Sequence, residues 1–257
     1  MGFIQILRAF PSPPEGFGRT LRIFLPEAYF HDEGRRFPVL YMQDGQNVFA
    51  HPESARAETW AANEAMEMLA EARAIEPWII VGVDHSVGRF EDYSPWGEPS
   101  LQVKSRTKRY ASFLIEHLKP FIDQSFRTRP GRSWTAVAGS SLGGLVSLWL
   151  GWAHPEVYGR VGAFSPTVMW NKRRLFRAWD SHGERPLRLY LDAGATELFD
   201  GGEIHLDYGT AVREFAKHLR DLGYGPDELR VVLEPGGEHS EVDWRRRLPD
   251  ALAWLLA

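Results

Sequence analysis

One hexapeptide constrains this chain more than any other feature: Gly139-Ser140-Ser141-Leu142-Gly143-Gly144. It follows a short strand-like segment, Trp134-Thr135-Ala136-Val137-Ala138, and precedes residues 142–153, which are apolar on nearly every face, as in a helix buried against a sheet. A serine that projects its hydroxyl from such a strand-to-helix junction sits on a turn that is tight and strained. Small residues two positions before and two after, here Gly139 and Gly143, let the backbone fold that closely without clashes. A G-x-S-x-G pattern alone is weak evidence; the strand before it and the apolar helix after it supply the context a nucleophile needs. Ser140 reads as a turn residue.

The rest of the chain fits a sheet built around that junction. Residues 20–25, 37–42, 78–83, 161–164, 187–191 and 229–233 are short β-rich runs, and 78–83 is continuously apolar, as a buried parallel strand is. Helical spacing occupies 60–72, 110–121, 210–222 and 249–256. The alternation predicts an α/β fold with a mainly parallel central sheet and helices on both faces. No repeat, low-complexity tract or linker divides the 257 residues, so a single domain over 1–257 is expected. Residues 84–105 break all periodicity, and a loop of that length in a compact domain tends to be functional.

Composition removes several function classes. A formal net charge of −4 gives no general attraction to nucleic acid or to an anionic membrane. With no cysteine, thiolate metal ligation, disulfides and cysteine catalysis are excluded. No His-Glu-x-x-His or similar ligand cluster marks a metallohydrolase. The N-terminal residues do not read as a secretory signal, and no apolar run approaches the roughly 20 residues of a membrane span. A cytoplasmic protein is therefore the default expectation. The 10 tryptophans fit either aromatic core packing or an aromatic-lined cleft.

A serine nucleophile needs a base, and histidine is the usual one near neutral pH. On a sheet of this kind the chain order is nucleophile, acid, base. Beyond the helix after Ser141 the histidines are His182, His205, His218 and His239. His218 falls inside a helical pattern, and His182 and His205 lie in polar stretches. His239 follows the strand 229–233 and the turn Pro235-Gly236-Gly237, where the base should emerge. The acid should follow the strand 187–191, and both Asp192 and Glu197 satisfy that by position; Asp200 and Glu203 lie further off. Either carboxylate could hold the imidazole tautomer. Backbone N–H donors for a developing oxyanion are expected at Leu142 and at Gln46, the latter aimed inward by a turn at Asp44-Gly45.

Together, Tyr41-Met42-Gln43-Asp44-Gly45-Gln46-Asn47-Val48-Phe49, the Gly-Ser-Ser-Leu-Gly-Gly junction and Gly236-Gly237-Glu238-His239-Ser240-Glu241 with Trp244 resemble the putative-esterase family. That family includes enterochelin esterases, S-formylglutathione hydrolases, feruloyl and acetylxylan esterases and mycolyltransferases. The resemblance implies an α/β-hydrolase fold, no metal or organic cofactor, and a small-molecule ester as substrate. It places the nucleophile on Ser141, the base on His239 and the acid on Glu197, after Gly194-Ala195-Thr196, where relatives often carry Asp. It also implies oxyanion donors at Gln46 and Leu142, and substrate contacts at Asp44, His85, Arg89 and Trp170, the last beside Phe164-Ser165-Pro166.

The leading expectation is a carboxylic ester hydrolase working through an acyl enzyme. An acyltransferase built from the same parts, in which an alcohol replaces water, is the first alternative. A catalytically inactive scaffold that binds ligands or proteins is the second.

Overall fold

A computed structural model describes residues 2–180, 183, 185–200 and 205–257, so His182 and Glu203 lie outside the described residues. The strands are β1 (Phe3–Ser12), β2 (Phe17–Leu25), β3 (Val39–Gln43), β4 (Ile79–Val83), β5 (Thr135–Ser140), β6 (Arg160–Phe164), β7 (Arg188–Gly194), β8 (Leu198–Asp200), β9 (His205–Asp207) and β10 (Leu229–Glu234). The helices are α1 (Ala28–His31), α2 (Ala62–Glu71), α3 (Arg89–Tyr93), α4 (Thr107–Ser112), α5 (Lys119–Ser125), α6 (Leu142–Ala153), α7 (Trp170–Trp179), α8 (Tyr208–Asp221) and α9 (Glu241–Leu255). A π-helical turn, Phe113–Leu118, joins α4 to α5.

Eight strands form one sheet in the order β1-β2-β4-β3-β5-β6-β7-β10. β1 and β2 run antiparallel to their neighbours, and from β4 through β10 every pairing is parallel. The carboxyl ends of the parallel strands therefore share one edge, where open α/β sheets place their ligands. Alternate residues point to opposite faces. Val39, Tyr41, Ile79, Val81, Val137, Val161 and Leu189 face a core shared with α6, α7 and α8. Leu40, Met42, Ile80, Ala136, Ala138, Phe164 and Tyr190 face a second core with α2 and α9. Helices thus cover both faces, as the alternating pattern predicts.

Several features depart from the sequence reading. β1 is an extra strand at the sheet edge. Its alternation is interrupted where the register shifts between Leu7 and Phe10, a bulge carrying Ala9 at φ 54°. The last helix begins at Glu241 and not at Pro249. The Ser240 hydroxyl caps it by accepting from the Asp243 N–H at 3.3 Å, so Pro249 lies inside the helix and is not its first residue. Residues 84–105 are not structureless: they hold α3 and a 3₁₀ turn, Pro99–Leu101. That region is pinned to the sheet by Arg19 on β2, whose guanidinium donates to Asp92 at 2.7 Å and to the Asp84 carbonyl at 3.2 Å.

Candidate active site

Ser141 sits between β5 and α6 with φ 56° and ψ −124°. A non-glycine residue held there carries strain on the order of 1–3 kcal/mol, which its surroundings must offset. Backbone bonds on both sides fix it: the Ser141 N–H donates to the Phe164 carbonyl at 3.0 Å, and its own carbonyl accepts from Thr167 at 3.1 Å and Leu145 at 3.0 Å. A Cβ on Gly139 would lie 2.7 Å from the Gly143 carbonyl oxygen, so the close approach requires glycine. The Ser141 hydroxyl rests 3.5 Å from the Thr167 hydroxyl.

His239 and Ser141 line the same cavity of about 350 Å³. His239 lies in the turn between β10 and α9. Its Nδ1–H donates to Glu197 Oε1 at 2.6 Å, because an ionised carboxylate can only accept. Glu197 is buried, and its second oxygen accepts from the Gly194 N–H at 2.6 Å and the Ser165 hydroxyl at 2.8 Å. The carboxylate is thus held by two donors on one oxygen and presents the other oxygen to the imidazole.

Asp192, the other candidate acid, has other partners. β7 continues to Gly194, so Asp192 lies within the strand and not beyond it. Its carboxylate accepts from Arg247 Nε at 3.0 Å, the Tyr190 hydroxyl at 3.1 Å and the Ser165 N–H at 3.2 Å. Burial raises its pKa to about 6, against the opposing pull of Arg247. Arg247 also donates to Ser165 Oγ at 3.2 Å and to Glu234 at 2.9 Å.

Gln46 lies in a 3₁₀ turn, Gly45–Asn47, just after β3, and Leu142 is the first residue of α6. The first N–H groups of a helical turn have no acceptor within it, and both amides occupy such positions at the carboxyl ends of β3 and β5. The left-handed residue of that turn is Asp44, at φ 56°, and not Gly45. Gly45 is needed for a different reason: a Cβ there would lie 2.5 Å from the Gly82 carbonyl carbon of β4.

A model of the family described as Putative esterase matches residues 16–255. The chain belongs to that family. It is a carboxylic ester hydrolase. This esterase is 22% identical over 242 residues to the uncharacterized protein YbbA of Bacillus subtilis, covering 92% of each chain. It is 24% identical over 204 residues to the ferri-bacillibactin esterase BesA of the same organism, covering 70% of this chain and 66% of BesA. An IroE-like serine hydrolase from Shewanella oneidensis matches with a TM-score of 0.82 at 20% identity, over 99% of this chain and 80% of its own. The fold is the α/β-hydrolase fold.

Of the residues expected to contact substrate, Asp44, His85 and Arg89 line the cavity that holds Ser141 and His239, and Trp170 does not. Trp170 is the first residue of α7 and is buried in the core, with the Phe90 ring 6.4 Å away. Asp44 and Arg89 are paired, Nε to Oδ1 at 2.7 Å and Nη2 to Oδ2 at 2.8 Å. Arg56, Phe199, Glu241 and Trp244 are also part of the wall, and Arg56 donates to Glu241 at 3.2 Å. Sequence reasoning named Ser165 only within the Phe164-Ser165-Pro166 segment and did not single out Thr167, Tyr208 or Arg247; these four side chains lie outside the cavity lining. Among the described residues no helix is long and apolar enough to cross a membrane, and no group of three His, Asp or Glu side chains could hold a metal ion.

Proposed function

We propose that this esterase is a serine hydrolase in which Ser141 is the nucleophile, His239 the general base and Glu197 the acid that orients it. The supporting observation is that the imidazole held by buried Glu197 at 2.6 Å shares one cavity with a serine in a strained strand-to-helix turn. With Nδ1 protonated and bound to Glu197, Nε2 is the nitrogen left to accept a proton. The Ser141 hydroxyl turns from Thr167 toward Nε2, its oxygen bonds to the acyl carbon, and the proton passes to His239. The carbonyl oxygen, now anionic, takes hydrogen bonds from the Gln46 and Leu142 amides. Collapse breaks the bond to the alcohol, which leaves with the proton from His239. Water, deprotonated by the same nitrogen, then releases the acid and restores Ser141.

A small-molecule ester fits the cavity volume of about 350 Å³. Its wall pairs each guanidinium with a carboxylate, Arg89 with Asp44 and Arg56 with Glu241, so it offers polar groups without a net charge. Asp44, His85 and Arg89 are the proposed substrate contacts. The test is turnover of p-nitrophenyl acetate and labelling by a fluorophosphonate, with Ser141→Ala alongside. Wild type should be labelled and active, and the variant neither. A variant that still takes the label would remove Ser141 from the nucleophile's position.

A further inference from the structure

None of the steps above uses Tyr208, yet this side chain is buried against the base. It opens α8, and its backbone N–H donates to the Glu197 carbonyl at 2.9 Å, so the acid and the tyrosine are fixed to each other. The tyrosine ring lies 4.2 Å from the His239 ring, centroid to centroid, with the planes 31° apart. Trp244 stands nearly perpendicular to the same imidazole, at 84° and 5.0 Å. The Tyr208 hydroxyl lies 3.4 Å from the Thr167 hydroxyl and also interacts with the Ser141 side chain.

We infer that Tyr208 is a positioning residue of the ester-cleaving site, its ring face steadying His239 while the imidazole carries the proton taken from Ser141. This rests on the serine reading proposed above. An aromatic face attracts a cation within about 6 Å of its centroid, more so when water is excluded, and a neutral imidazole gains little from the same contact. The preference is thus for the protonated state formed in the transition state, the kind of interaction that speeds a step and does not merely tighten binding.

Other charged groups do not duplicate this effect. Glu197 faces the imidazole at Nδ1 from the turn after β7. Across the cavity, Arg89 is neutralised by Asp44 and Arg56 by Glu241, and His85 Nδ1 donates to the Ser86 carbonyl, 2.8 Å away. Burial holds the Tyr208 phenol above the usual tyrosine range, so near neutral pH it meets His239 as an uncharged ring.

The experiment is the pH dependence of kcat/KM for p-nitrophenyl acetate, whose acid limb reports the base in the free enzyme. It compares wild type, Tyr208→Phe, Tyr208→Leu and the protein carrying pentafluorophenylalanine at 208, which keeps the ring outline but reverses its quadrupole. Removing a stabiliser of the protonated imidazole lowers its pKa. The acid limb should therefore move down by about half to one pH unit in the leucine and pentafluoro proteins, with kcat lower by roughly three- to tenfold, and stay in place in Tyr208→Phe. If Tyr208→Leu does not fold, the pentafluoro protein still decides. A limb that stays put in the folded pentafluoro protein overturns the inference, as does an equal downward shift in Tyr208→Phe. A wild type that is active but takes no fluorophosphonate overturns the serine reading instead, and the two failures are read from separate measurements.

Discussion

Replacing Glu197 by glutamine keeps the shape of the acid and removes its charge, and the surroundings dictate how the amide must sit. One carboxylate oxygen serves two donors, the Gly194 N–H at 2.6 Å and the Ser165 hydroxyl at 2.8 Å, while the other serves only His239 Nδ1. A glutamine has a single acceptor oxygen. Placed on the side of the immovable Gly194 N–H, that oxygen leaves the amide NH₂ facing the imidazole. His239 must then accept at Nδ1 and carry its proton on Nε2, where it can no longer take one from Ser141. A trapped tautomer of this kind costs about 10⁴ in kcat in the serine protease that defines the arrangement, or about 5 kcal/mol. Glu197→Gln is expected to lose on the order of 10³- to 10⁴-fold in kcat on p-nitrophenyl acetate near neutral pH, with its unfolding midpoint close to wild type. Asp192→Asn, whose carboxylate serves Arg247, should stay within about tenfold of wild-type kcat and lose roughly 1–3 kcal/mol of stability. If Asp192→Asn loses more kcat than Glu197→Gln, the acid has been assigned to the wrong residue.

Three further outcomes are expected. Gly139→Ala puts a methyl group 2.7 Å from the Gly143 carbonyl oxygen, so urea denaturation should show a loss of about 1–3 kcal/mol together with reduced turnover; an unchanged midpoint would mean that the turn relaxes freely. Asp192 has a pKa of about 6 in the fold, above its ordinary value of 3.8, so the native state binds the extra proton between those values. The stability this contributes is present below pH 3.8 and lost as pH rises through about 6, by up to about 3 kcal/mol. Wild type should therefore lose stability relative to Asp192→Asn across that window, and a gain would reverse the assigned direction. Arg89→Leu strands Asp44 and should raise KM and lower stability by about 1–3 kcal/mol; adding Asp44→Asn should recover part of the stability, and strictly additive losses would show that the pair is not coupled.

The inner strands were legible because strands buried on both faces are continuous apolar runs, as in Ile79–Val83. Features set by local geometry were less so. α7 has left-handed residues at Asn171, Lys172 and Arg173, so its first turn carries no helical periodicity to read. β8 and β9 are three residues each and largely exposed, too short for alternation to show. In the candidate site, the junction at Ser141 and the turn at His239 were visible because glycine punctuation and strand order are sequence properties. The choice between Asp192 and Glu197 was not. It depends on β7 running three residues past Leu191, which brings Asp192 inside the sheet and leaves Glu197 for the turn. Trp170 poses a related difficulty: a tryptophan in a polar stretch suits a cleft wall or a core equally, and its burial is set by tertiary packing.

The same packing explains why two carboxylates can be buried so close together without competing for one role. Ser165 touches both, its N–H donating to Asp192 and its hydroxyl to Glu197, and it is held in a left-handed conformation at φ 40° to reach them. Arg247 donates directly to Asp192 and reaches Glu197 only through the Ser165 hydroxyl, which also accepts from the Trp244 indole N–H at 3.1 Å. A guanidinium bound straight to Glu197 would stabilise its charge so fully that little remained for an imidazolium. Routed through a neutral hydroxyl, the cation compensates the buried charge while leaving the edge toward His239 unscreened. Asp192 takes the direct ion pair, and with it the structural role. Ser165→Ala keeps the N–H bond to Asp192 and removes the hydroxyl, so it should lower turnover through Glu197 and stability through Arg247 and Trp244, which lose their acceptor. Loss of only one of the two would show that Arg247 and the acid are not joined through this hydroxyl.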